Sequence, residues 1–72
     1  MPRIEFPLDG HPFVELHQLL KLAGLVDSGG AGKRLVASGV VQVDGAVELR
    51  KSCKIHAGQV VAIDDVEIDV VE

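Results

Sequence analysis

The sequence predicts an α+β domain: two short packed helices followed by a small antiparallel β-sheet. Three observations carry this. Apolar residues from Phe13 to Ala23 recur at helical spacing. A serine and a glycine bracket a second helical run, from Ser28 to Gly39. After Gly39 the apolar period falls to two, with turn residues between the runs. The 72 residues make a single domain, 1–72, with no repeat, linker or low-complexity segment. A chain this short buries roughly 60% of the surface its unfolded form exposes. That leaves little room for a deep substrate cavity, so binding at the surface is expected over catalysis.

Residues 4–6 suit a short strand, closed by Pro7 and the turn Asp9-Gly10. Pro12 fits the first turn of a helix, where its missing N–H costs nothing. From Phe13 onward, Phe13, Leu16, Leu19, Leu20 and Ala23 share one face, and Glu15, Gln18 and Lys21 the other. Gly24 ends this helix, since glycine tolerates the left-handed backbone. Leu25-Val26-Asp27 is a link, and Ser28 is a good N-cap for helix two. Leu35 and Val36 are its buried side, with Ala31 and Gly32 behind them. At 100° per residue, Lys33 and Arg34 straddle the opposite face. Gly39 stops the helix.

Val41 and Val43 read as a strand, and Asp44-Gly45 as a hairpin turn that wants positive φ. Ala46–Leu49 returns, followed by the basic loop Arg50-Lys51-Ser52-Cys53-Lys54. Ala57-Gly58 turns the chain again. Val60–Ile63 and Val66–Val71 complete the sheet, the last with acids on an open face that guards an edge strand against aggregation.

Charge is sorted along the chain. Lys21, Lys33, Arg34, Arg50, Lys51 and Lys54 lie in one stretch with only three acids, a net +3. The remainder holds Arg3 against eight acids, a net −7, and the two make the overall −4. One face suits a polyanion and the rest suits solubility. With Phe6 and Phe13 as the only aromatics, a base-stacking platform is not expected. Cys53 stands alone, so no internal disulfide forms, which fits a reducing, cytoplasmic setting. The amino terminus lacks the apolar region of a signal peptide, and no apolar run approaches the ~20 residues of a membrane span.

The cluster Ser28-Gly29-Gly30-Ala31-Gly32-Lys33 looks at first like a phosphate loop. That motif would need glycine at position 27 and Ser or Thr at 34, where the chain has Asp27 and Arg34, so a nucleotide triphosphatase is set aside. Two readings stay open. Small residues let two helices approach closely, and a helix N-terminus made by Ser28, Gly29 and Gly30 can take a phosphate. His11, His17 and His56 lack metal-ligand spacing, and His17 reads as packing, so no metal or other cofactor is expected. Cations would lower the Cys53 thiol pKa if it were exposed, but its alternation with Ile55 reads as a buried strand residue. No nucleophile, base and orienting group can be assembled, so the chain reads as non-enzymatic.

The order of these elements resembles a known family. Val14 to Gly30 is a leucine-rich helix, a Gly-Leu link and a serine opening the next helix. Gly39-Val40-Val41-Gln42-Val43-Asp44-Gly45 and then Gly58 follow. The combination resembles the RNA-binding domain named after small-subunit ribosomal protein S4, over about residues 13–63. The run from Val43 to Ile55 is most similar to short stand-alone bacterial members. The resemblance implies an S4-type RNA-binding fold whose helix two and hairpin loop grip structured RNA by its backbone. By position it implies contacts at Ser28, Lys33, Arg50, Lys51 and Lys54, with Arg34 and Lys21 nearby. Many members carry arginine where this chain has Gly29, although stand-alone relatives tend to have glycine there, so weaker binding is expected. Gly32 stands where alanine is usual, which should weaken helix two by roughly 0.5–1 kcal/mol.

The expected function is RNA binding by a basic patch of Ser28, Gly29, Gly30, Lys33, Arg34, Arg50, Lys51, Lys54 and Lys21. Structured RNA is the expected partner, with a ribosome or another ribonucleoprotein as its setting. No membrane partner is expected, and the protein is expected to be a monomer. The alternative is a protein-interaction module, or an accessory ribonucleoprotein subunit, that uses the acidic strand from Asp64 to Glu72.

Overall fold

The computed structural model describes residues 2–72. Its elements are β1 (Arg3–Pro7), β2 (Val14–Glu15), α1 (Leu16–Leu22), α2 (Gly29–Ala37), β3 (Val41–Val43), β4 (Ala46–Val47), β5 (Lys54–Ile55), β6 (Val60–Ile63) and β7 (Val66–Val71). The fold is α+β, as the sequence predicts. The two helices cover one face of a five-stranded sheet of order β1-β7-β6-β3-β4, and β2 and β5 form a separate ribbon. One core joins the layers. Leu16, Leu19 and Leu20 of α1 and Val36 of α2 pack with the inward residues Val41, Val61, Ile63, Ile68 and Val70.

The sheet is mixed rather than wholly antiparallel. β1 runs parallel to β7, with Ile4 opposite Ile68 and Phe6 opposite Val70. Alternation tells which residues face the core but carries no information about strand direction. The pairing makes β7 an interior strand, so the expected acidic edge is not an edge. Glu67 and Asp69 point away from the core and are taken up by Arg3, at 3.2 and 3.0 Å. The cation outside the basic stretch is thus spent on the acidic strand.

Helix one begins later than its periodicity predicts. Val14-Glu15 instead pairs with β5, Val14 opposite Ile55 and Glu15 opposite Lys54. The pairing runs on into the helix: Leu16 N–H donates to the Cys53 carbonyl (2.9 Å) and His17 N–H to the Lys51 carbonyl (3.0 Å). These long-range partners outweigh the helical preference of residues 13–15, and Pro12 falls in the loop before β2. The returning hairpin strand is also shorter than Ala46–Leu49, ending at Val47, although Glu48 N–H still reaches the Val41 carbonyl at 3.0 Å.

The turn at Asp44-Gly45 has φ of +52° and +86°. Both values are those of a two-residue hairpin turn, which only glycine and a few short polar residues enter easily. The Asp44 side chain does more than tolerate the turn. Its carboxylate accepts from Val60 N–H (3.0 Å) and Gln59 Nε2 (3.2 Å), tying the hairpin to the start of β6.

Candidate nucleic-acid interface

Ser28 caps α2 as expected, its Oγ accepting from Ala31 N–H at 3.1 Å. The Gly29 and Gly30 amides, in the same first turn, have no acceptor among the described residues. Arg34 folds back along the helix, bringing its Nη1 to 3.9 Å from the point where a Gly30 Cβ would sit. A guanidinium therefore stands beside the helix's positive end. Lys33 is exposed on the neighbouring position.

The second basic segment is the turn from Arg50 to Lys54, which surrounds a shallow depression of about 430 Å³ lined by Arg50, Ser52, Cys53 and Lys54. Lys54 is held over the Phe13 ring, its Nζ 4.9 Å from the centroid. Phe13 is itself half-buried and tilted against His56 at 6.0 Å.

His17 joins the two segments. Its Nδ1 lies 2.8 Å from the Lys51 carbonyl oxygen, which can only accept, so Nδ1 carries the hydrogen and donates. On the other side its Cδ2 is 3.7 Å from a Cβ built at Gly29, and its backbone oxygen is 2.6 Å from one built at Gly32. The basic turn and the first turn of α2 thus rest on the same buried residue. Lys21 is exposed on α1, one helical turn beyond it.

Gly32 is required rather than merely tolerated. Alanine there would drive its methyl into the His17 backbone, so the helices meet at a point where no Cβ fits. The expected cost in helix propensity is the lesser effect.

Arg50 is already partnered. Glu48 grips it with both carboxylate oxygens, accepting from Nε and Nη2 at 3.0 Å each and from Arg50 N–H at 3.1 Å. These bonds hold the Glu48 pKa down at about 2. Among the described residues, Lys21, Lys33, Arg34, Lys51 and Lys54 make no ion pair. Cys53 is half-buried and lies just before β5 rather than within a strand. Burial raises its thiol pKa, with Glu48 adding to the effect, so the cations around it do not activate it.

Two contributors lie outside the basic residues to which the sequence points. His17 gave no signal, because its partner Lys51 is 34 residues away. Glu48 did give one: residues two apart on an extended chain project to the same side, which sets Glu48 beside Arg50.

The S4 domain family matches residues 6–71. YbcJ of Escherichia coli (strain K12) and YbcJ of Shigella flexneri are each 53% identical over 66 residues, covering 92% of this chain and 94% of theirs. The fold is similar to the solution structure of YbcJ from E. coli, with a TM-score of 0.73 and 51% identity over 94% of this chain and 86% of that one. That structure is described as revealing an αL motif involved in RNA-binding. No helix among the described residues is long and apolar enough to cross a membrane.

Proposed function

The chain belongs to the S4 domain family, and from that premise we propose that it binds structured RNA by the phosphate backbone, through the first turn of α2 and the basic turn 50–54. One observation carries the reading. His17 seats Lys51 on one side and Gly29 on the other, so the two basic segments border a single buried residue in a protein of net charge −4. The RNA-binding motif described for the similar YbcJ structure supports it.

The chemistry follows from the groups available. The free amides of Gly29 and Gly30 and the positive end of α2 receive a phosphate oxygen. Lys33, Arg34, Lys51 and Lys54 neutralise neighbouring phosphates, and Lys21 extends the surface. Phe6 and Phe13 are both half-buried, and Phe13 is engaged by Lys54 and His56, leaving shape and backbone as what is read. A ribosome or another ribonucleoprotein is the setting such a module serves, as a binding element with no chemical step.

Changing Lys33 and Lys51 together to alanine tests the reading. Affinity for a labelled RNA stem-loop should fall by about tenfold or more at low salt, with the amide NMR spectrum still that of the folded protein. Unchanged affinity would mean the surface lies elsewhere.

A further inference from the structure

We infer that Glu48 is an internal competitor for RNA phosphate: its carboxylate occupies the edge of Arg50 that a phosphate would take, and so limits how tightly the basic turn holds RNA. The inference rests on the RNA-binding reading above and concerns how that surface is regulated.

Arginine binds carboxylate and phosphate in the same forked way, through two parallel N–H donors. In this chain the Nε and Nη2 donors are both taken, at 3.0 Å each, and the same carboxylate accepts the Arg50 backbone N–H. The two partners differ in exposure. The Arg50 side chain is 78% exposed and that of Glu48 only 18%. The carboxylate is therefore the anchored member, and its residue is pinned to β3 through the Val41 carbonyl. A phosphate approaching Arg50 has two routes. It can displace Glu48 from the fork, or it can take the remaining Nη1 side and meet a pair whose net charge is zero. Both routes give less than a free arginine would. The carboxylate ionises at about 2, so it remains charged throughout the neutral range. The five other cations of the central stretch have no such partner among the described residues. Arg50 is the one whose contribution is held back.

The test measures binding of a labelled RNA stem-loop across a salt series for the wild-type chain, Glu48→Gln, Arg50→Ala and the double variant. Glu48→Gln keeps the side chain's shape and removes its charge. It should bind roughly two- to fivefold tighter, the strength of an exposed ion pair expressed as a ratio. Its log–log salt slope should be steeper by about 0.7–0.9, one extra phosphate neutralised. Arg50→Ala should cost less than about twofold in the wild-type background but cancel the whole gain in the Glu48→Gln background. Glu5→Gln, an equal change of net charge at an exposed position of β1, should leave affinity unchanged. Equal or weaker binding by Glu48→Gln overturns the inference alone, weaker binding meaning that Glu48 positions Arg50 instead. A matching gain in Glu5→Gln overturns it too, since overall charge would then be the cause. Absence of RNA binding by every chain, wild type included, overturns both the inference and the functional reading beneath it.

Discussion

At Gly32 a methyl group would lie 2.6 Å from the His17 carbonyl oxygen, well inside the contact distance of carbon and oxygen. Gly32→Ala sets two effects against each other. Alanine favours the helix by roughly 1 kcal/mol, while forcing a packed interface apart costs about 1–3 kcal/mol. The second should win, and the urea midpoint should fall; a rise would mean that α2 shifts freely against α1. Titration provides a second residue-scale prediction. Asp44 is held below its ordinary value by the Val60 N–H and the Gln59 side chain, and Glu48 is held at about 2 by Arg50. Both carboxyls are thus ionised in the folded protein at pH values where the unfolded chain takes up protons. Their stabilising contribution is full above the ordinary carboxylate range and is lost on acidification, for Glu48 as pH falls from about 4.5 toward 2. Urea midpoints should drop over that window. Asp44→Asn should lower the midpoint at neutral pH and make the acid dependence shallower.

The basic turn is a short element with no hydrophobic side of its own, so its position comes from what it rests on. Two α1 amides donate into its carbonyls, the β2–β5 ribbon closes one end, and the His17 ring holds the Lys51 carbonyl. His17→Leu keeps the bulk and removes the ring donor. Hydrogen exchange should then quicken at the amides of residues 50–53 while the β6 and β7 amides keep their protection. Affinity for the RNA stem-loop should weaken several-fold with the core intact. Unchanged exchange in the turn would show that backbone bonds alone hold it. The same element explains the late start of α1. Residues 13–15 carry a helical apolar pattern, but Val14 has Ile55 as a partner and pairs with it.

Over the whole molecule, six of the seven basic residues fall within residues 21–54 and eight of the eleven acids outside it, and this sorting should be visible as salt dependence. If four phosphates are contacted, log affinity should fall with log salt at a slope of roughly −3 to −4. A slope near zero would remove the electrostatic basis of the reading. The α+β class, both helices, the Ser28 cap, the Asp44-Gly45 turn and the positions of β3, β6 and β7 were legible in the sequence. Each follows from local period, capping or turn chemistry within a few residues. The exposure of Lys33 and Arg34 followed from the same periodicity. What the tertiary structure alone decided is long-range. It set β1 parallel beside β7, gave Arg3 to Glu67 across 64 residues, and brought the Lys51 carbonyl to His17 across 34. It also decided that Gly32 must lack a side chain, because the atom in the way belongs to the other helix. Periodicity reports which side of an element is buried. It cannot report which distant group waits there, since that depends on how the closed chain packs.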